Sequence, residues 1–249
     1  MEIKDLSVEL DIAKKAAIES GKLLLQKKIE LNKSLKVIQK DTKLLADVES
    51  ENLIKEIIVT KSQYPILAEE TGKSADDLGD TFWVIDPLDG TANYNRGIPI
   101  CCVSIGLVKN MKPVLGVIYD FNNDEIYTGD KFSNISSMND ELIKVSDKDK
   151  KDDSILVTGL PHHTDYSNES LDKMIKDMQT WKKVRMIGSA AIASCYIASG
   201  KAEMYKENGI YLWDIIAGAA IVESAGGTAE ILNLKNNFQV DVVFTNSKI

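Results

Sequence analysis

Asp86 and Asp89 close the apolar run Trp83-Val84-Ile85 and stand on either side of Pro87-Leu88, with Gly90 and Thr91 directly behind. A carboxylate set against an apolar strand is costly unless a cation or a group of donors meets it. This spacing leaves the Leu88 backbone carbonyl between two acid side chains, a cluster of hard oxygen donors of the kind that suits Mg²⁺. Gly90 and Thr91 then offer backbone N–H groups and a hydroxyl to a phosphate. Pro87 holds Asp86 extended, and Gly90 permits a tight turn. The string reads as a turn for metal and phosphate. Three more acids stand at the ends of apolar segments: Asp47, Glu69 and Asp214. Each of the five, taken singly, is also explained as a helix cap or a strand-end charge. Asp214 follows Trp213 and opens an apolar helix, where an N-terminal Asp is a good cap. Five carboxylates in one cleft would repel unless cations sat among them. Spacing alone does not tell whether they meet.

The elements that would position them follow from periodicity. Leu6, Leu10, Ala13, Ala17 and Leu24 recur at helical spacing within residues 5–30, and a second helix starts near Ala46 with Val48, Leu53, Ile54, Ile57 and Ile58. Residues 64–68 read as a short buried strand that ends at Glu69-Glu70 and is broken by Gly72. After the acid turn, 98–108, 113–119 and 125–128 read as an antiparallel meander with turns at Lys109-Asn110 and Asn122-Asn123. The charged run 146–153 reads as a solvated loop between sub-domains. Beyond it come a strand at 154–158, a helix at 171–178, a strand at 183–187 and a small-residue helix at 189–199. A strand at 202–205, an apolar helix at 212–225 and strands at 228–232 and 241–245 complete the chain. The irregular alternation favours a layered α/β (α+β) sandwich over a doubly wound parallel sheet. We read 1–249 as a single domain with sub-domains of approximately 1–145 and 154–249, without internal repeats.

A chain of 249 residues can bury a substantial core. Its net charge of −8 argues against nucleic acid or an anionic membrane as the main partner. Metal ions can reverse the local field and admit a small phosphate ester. Cys101, Cys102 and Cys195 lack CxxC spacing and read as buried free thiols of a reducing compartment. With no leader pattern and no uncharged run of membrane-spanning length, the expected location is cytoplasmic.

In their order and separations, Asp47, Ile66-Leu67-Ala68-Glu69-Glu70, Asp86-Pro87-Leu88-Asp89-Gly90-Thr91 and Trp213-Asp214-Ile215-Ile216-Ala217-Gly218 resemble the inositol monophosphatase family of Mg²⁺-dependent, lithium-sensitive phosphatases. Gly188-Ser189-Ala190-Ala191 and Glu207-Asn208-Gly209-Ile210 add to the likeness, which runs over nearly the whole length. The resemblance implies an αβαβα sugar-phosphatase-like sandwich with mixed and antiparallel sheets, and a homodimer. It implies a phosphomonoesterase acting on inositol monophosphate or a related polyol or sugar phosphate. Two to three Mg²⁺ ions are implied as cofactors. Glu69, Asp86 and the Leu88 carbonyl would hold the first, and Asp86, Asp89 and Asp214 the second. A third, weaker ion would lean on Glu69. Gly90 and Thr91 would bind the ester phosphate, while Asp89, Gly188, Ser189, Ala190, Glu207 and Asp214 would line the rest of the substrate site. Thr91, hydrogen-bonded to Asp47, would act with Glu69 to orient a water for in-line attack, with no phospho-enzyme. Two departures stand out: Leu44 replaces the family's hydroxyl residue three positions before Asp47, and 127–139 lacks the family's glycine-rich hairpin.

Other phosphatase chemistries fit less well. A nucleophilic aspartate of the haloacid-dehalogenase type needs Asp-x-Asp, and Asp86-x-x-Asp89 has one residue too many. His162 and His163 sit together in a loop, and no arginine closes a loop after Cys195. Lys36 and Lys40 read as solvent-facing, with the third metal site or substrate as the alternative. Fructose-1,6-bisphosphatase or 3′(2′),5′-bisphosphate nucleotidase activity on the same metal core remains an alternative, as does a regulatory or scaffold role with vestigial catalysis.

Overall fold

Along the strand that carries the acids, Phe82 and Val84 pack to one side and Trp83 and Ile85 to the other, so both faces of its sheet are buried. The computed structural model describes residues 5–38, 41–160 and 164–249, with backbone alone at 36–38, 41 and 42. The first half contains α1 (Ser7–Gln26), α2 (Lys28–Leu31), the hairpin β1 (Ser34–Ile38) and β2 (Asp41–Leu44), and α3 (Leu45–Val59). It continues with β3 (Ile66–Ala68), β4 (Gly72–Lys73), β5 (Thr81–Asp89), α4 (Thr91–Arg96), β6 (Cys102–Lys109), β7 (Lys112–Asp120), β8 (Glu125–Asp130), β9 (Ile135–Met138) and β10 (Glu141–Leu142). The second half holds β11 (Ile155–Thr158), α5 (Asn168–Met178), β12 (Lys183–Met186), α6 (Ala190–Ala198), β13 (Met204–Tyr211), α7 (Leu212–Ser224), β14 (Thr228–Leu232) and β15 (Gln239–Thr245).

Eight strands form one sheet in the order β10-β9-β8-β7-β6-β5-β3-β4, antiparallel except where β3 runs parallel to β5. Five form a second, mixed sheet in the order β12-β11-β13-β15-β14. Helices α1 and α3 cover the outer face of the first sheet. Helices α6 and α7 lie between the sheets, where Tyr205, Val242 and Phe244 meet Ile192, Ile215 and Ile221. On the far side of the second sheet lies α5, tied by ion pairs from Asp177 to Lys206 and Lys151. The result is the five-layered sandwich of the expected class.

Close approach of α7 to the first sheet is made possible by three glycines. Gly106 pairs with Gly116 and Gly116 with Gly129, a channel across β6, β7 and β8. A Cβ on Gly116 would stand 2.0 Å from the Ala217 carbonyl oxygen, and one on Gly129 2.4 Å from the Ile221 Cα. One on Gly106 would meet Ile216 at 2.6 Å. Backbone contact of this kind leaves no room for any side chain.

Several boundaries differ from expectation. Residues 98–101 precede β6 rather than joining it, and β13 runs to Tyr211, well past 205. Gly72 does not end the chain's pairing but opens β4, which turns back on β3. The β1–β2 hairpin and α4 are too short to be read from periodicity, at five, four and six residues. Ser189 stands just outside α6 as its cap, its Oγ accepting the Ile192 N–H at 3.2 Å. Residues 127–139 form the β8–β9 hairpin, paired from Tyr127–Met138 to Asp130–Ile135. His162, His163, Lys40 and the Lys36 side chain lie outside the described residues.

Candidate active site

An unbroken strand would send residues three apart to opposite faces. In β5 the register slips: Asp86 faces Ser104 and Asp89 faces Cys102, so Pro87 and Leu88 together oppose the single residue Val103. Pro87, which has no N–H to give the ladder, sits inside this bulge. Both carboxylates therefore point toward the α6–α7 layer. Asp86 is 2% exposed and Asp89 8%. The neighbouring Ser104 hydroxyl is buried with no hydrogen-bond partner among the described residues.

Glu69 follows β3, held to β5 by its N–H bond to the Ile85 carbonyl at 3.1 Å. Asp214 arrives from the other side, on the first turn of α7. It accepts the Tyr211 N–H at 2.8 Å, so it does cap its helix, as the simpler reading held. Asp47 does the same for α3, accepting the Leu44 N–H at 2.6 Å. That bond answers the departure at Leu44: the donor is a backbone N–H, so the side chain at 44 need carry no hydroxyl.

Capping does not remove Asp214 from the cluster. Loss of water raises the Asp86 carboxyl well above its ordinary value, and the charges of Asp89 and Asp214 push it further. Glu69, an exposed residue, is raised by partial dehydration of its carboxyl and then by Asp86 and Asp214. Its open face makes the repulsion the more telling cause. The Leu88 N–H, which donates to Asp86 Oδ1 at 3.0 Å, opposes the rise at Asp86 in part.

Asp89 is raised by burial but opposed by donors from α6. Its Oδ2 accepts the Ala191 N–H at 2.8 Å and the Ser189 hydroxyl, and Oδ1 accepts the Ala190 N–H at 3.3 Å. Thus Ser189 and Ala190, expected beside substrate, grip Asp89 here. Gly188 is locked by Asn93, whose Nδ2 donates to the Ile187 and Gly188 carbonyls at 2.8 and 3.3 Å. Glu207, on β13, faces the same interior: burial raises it to about 7, the Tyr205 hydroxyl donates to it at 3.0 Å, and the Asp89 charge adds. Gly159 is pressed against it, since a Cβ there would lie 2.6 Å from the Glu207 carboxylate.

Thr91 opens α4 behind Gly90, whose φ of +86° needs a glycine and whose missing Cβ clears the Ile100 carbonyl oxygen. The Thr91 hydroxyl reaches Asp47 Oδ1 at 2.9 Å and the Leu88 carbonyl at 3.0 Å. Asp47 is 1% exposed, and burial raises it to about 7 against the bonds from Leu44 and Thr91. The expected residues of the β3 turn, the β5 bulge, α3 and α7 thus come together.

The sequence profile of the Inositol monophosphatase family matches residues 5–245. A Xylella fastidiosa protein named Nus factor SuhB is 35% identical over 225 residues, 88% of this chain and 80% of its own. An Aquifex aeolicus fructose-1,6-bisphosphatase/inositol-1-monophosphatase is 33% identical, over 90% of this chain and 86% of its own. The solved inositol monophosphatase of Anabaena (Nostoc) sp. PCC 7120 superposes with a TM-score of 0.85 at 35% identity, covering 98% of this chain and 92% of that one. The chain belongs to the inositol monophosphatase family.

Metal chemistry can be tested against the donors themselves. The inositol monophosphatase donor set here is oxygen throughout, which suits Mg²⁺ rather than a thiolate-seeking metal. Among the described residues no lysine or arginine pairs with Asp86 or Asp89; the nearby Lys43 pairs with Glu70 instead. Nor do three acidic, histidine or cysteine side chains already close around a common point. The residues fit the ion by donor type and by uncompensated charge, with Asp89 and Asp214 resting on N–H groups. Asn93 and Ser50 escaped sequence reasoning. Asn93 sits two residues past Thr91, and Ser50 supports the Pro87 carbonyl from a helix far away in sequence.

Proposed function

We propose that this protein is a Mg²⁺-dependent phosphomonoesterase acting on inositol monophosphate or a related polyol or sugar phosphate. The observation that carries the reading is the convergence on the β5 bulge, where Asp86 and Asp89 are buried with no cationic partner among the described residues, while Glu69 is tied alongside β5 and Asp214 stands on the first turn of α7. Glu69, Asp86 and the Leu88 carbonyl would hold one ion, and Asp86, Asp89 and Asp214 another, with a third leaning on Glu69. Bound Mg²⁺ supplies neutralisation of the ester phosphate and a lowered pKa for water. The chain's own residues do the rest. Gly90 and Thr91 present N–H groups to the phosphate. Ionised Asp47 takes the Thr91 hydroxyl proton into a hydrogen bond, which leaves the Thr91 oxygen lone pairs to orient a water together with Glu69. Ser189 and Ala190 keep Asp89 in place, and Glu207 accepts hydrogen bonds from hydroxyls of the leaving alcohol. Attack by water needs no covalent intermediate on the protein.

The test is phosphate release from inositol 1-phosphate as Mg²⁺ is raised, in the wild type and in Asp214→Asn. Release that depends on Mg²⁺ and is lost in the variant supports the proposal. Release that is indifferent to Mg²⁺ or to Asp214 refutes it. A second reading, a sugar bisphosphate, rests on the name of the Aquifex relative. The cavity of about 450 Å³ between α5 and β13 does not bear on it, since Glu207 lines it but Glu69, Asp86, Asp89, Thr91 and Asp214 do not. Relative kcat/KM for inositol 1-phosphate, fructose 1,6-bisphosphate and 3′-phosphoadenosine 5′-phosphate decides between them.

The three cysteines are free and buried, which supports a reducing compartment. Among the described residues no helix is long and apolar enough to cross a membrane.

A further inference from the structure

Helix α3 turns a buried polar face toward the site. Asp47, Ser50 and Glu51 fall at i, i+3 and i+4, on one side of the helix. They are 1%, 0% and 1% exposed. Asp47 reaches Thr91, as described. The Ser50 hydroxyl donates to the Pro87 carbonyl at 2.7 Å, inside the β5 bulge. Glu51 goes to the third acid-bearing segment. Its Oε2 accepts the Glu70 N–H at 2.9 Å, and its Oε1 accepts the Thr71 hydroxyl at 2.6 Å. Lys55 stands 3.7 Å from the same Oε1 and donates to the Thr71 hydroxyl oxygen at 3.0 Å.

Burying a carboxylate is unfavourable unless its oxygens are well met, and a packed apolar side chain would serve stability as well or better. What both Glu51 oxygens hold is the turn immediately after Glu69. The Glu69 N–H is fixed to the Ile85 carbonyl on the other side. The backbone that carries Glu69 is therefore held by the sheet on one side and by Glu51 on the other.

We propose that Glu51 is a positioning residue: by clasping the Glu70-Thr71 turn it fixes the Glu69 carboxyl relative to Asp86, and so sets affinity for a divalent cation that it does not touch. The inference rests on the metal-dependent reading of the site. Outer partners of this kind govern metal affinity more than the chemical step, because they determine how much reorganisation binding requires.

The experiment is titration calorimetry of the full chain with Mg²⁺ alone, for wild type, Glu51→Gln, Glu51→Ala and Thr71→Val. Glu51→Ala weakens Mg²⁺ binding by about 10- to 100-fold. Glu51→Gln loses less, because its amide oxygen still accepts one of the two bonds. Thr71→Val, at an exposed residue, removes only the hydroxyl arm and shifts affinity the same way by a smaller factor; it decides the matter where Glu51→Ala does not fold. At saturating Mg²⁺, phosphate release by the Glu51 variants stays within about threefold of wild type, and the loss is confined to the Mg²⁺ concentration for half-maximal rate. A lowered metal-free Tm with unchanged Mg²⁺ affinity overturns the inference, as does a fall in kcat that saturating Mg²⁺ does not restore. A wild type that binds no Mg²⁺ overturns the metal reading beneath it. A wild type that binds while all variants bind equally overturns this inference alone.

Discussion

Thr91 has one hydroxyl proton and two acceptors within 3.0 Å, Asp47 Oδ1 and the Leu88 carbonyl. An ionised carboxylate is the stronger acceptor, so Asp47 fixes which way the hydroxyl points. Replacing Thr91 by Val keeps the shape and removes this control. We expect kcat to fall by roughly 100-fold, with Mg²⁺ affinity little changed. A near-normal kcat would remove Thr91 from the chemistry. The pair was legible only through the family likeness, since residues 44 apart carry no periodicity that joins them. Asp86 and Asp89 were legible from their own string. The device that brings them to one face, a bulge around Pro87, was not, because register is a property of two strands and the sequence of one does not state it. Asp89 also showed a second engagement that no spacing revealed, with the N–H groups of Ala190 and Ala191 a hundred residues on.

Two helices deliver acids by the same means. Asp47 and Asp214 each sit in the first turn of a helix that leaves a strand, and each accepts the N–H of the residue three before it. Helix α7 must also come close enough for Asp214 to sense Asp86, and the Gly106-Gly116-Gly129 channel lets it. Gly116→Ala is the sharpest test of this element, because its Cβ would drive into the Ala217 backbone. We expect a loss of about 2–3 kcal/mol in denaturant unfolding, with a weaker affinity for Mg²⁺ as Asp214 moves away. Full stability would show that α7 does not depend on the channel; a stability loss with unchanged metal affinity would separate packing from the site. Periodicity found α7 readily from its apolar run. The three glycines sit on separate strands, and their alignment exists only in the folded sheet.

At the scale of the molecule, the core is asked to carry carboxylates that repel one another. Burial and mutual charge raise Asp47, Glu69, Asp86, Asp89 and Glu207, with Asp47 and Glu207 near 7. A group raised by folding stabilises the native state below its unfolded pKa of about 4, and that contribution is lost as pH climbs through the folded value. The metal-free protein is therefore expected to melt lower at pH 8 than at pH 5, by roughly 5–10 °C. Saturating Mg²⁺ compensates the charges, so its gain in Tm is larger at pH 8 than at pH 5. Equal gains at the two pH values would mean that the acids are already balanced. The layered architecture itself was legible from the irregular order of helices and strands. The meeting of its parts at one locus was not, because it depends on how the layers stack. The most direct measurement is a crystal structure of the chain grown with Mg²⁺. The account predicts one ion within about 2.1 Å of carboxylate oxygens from Asp86, Asp89 and Asp214 together. An Asp214 turned away from the other two, with no ion shared among them, would contradict it.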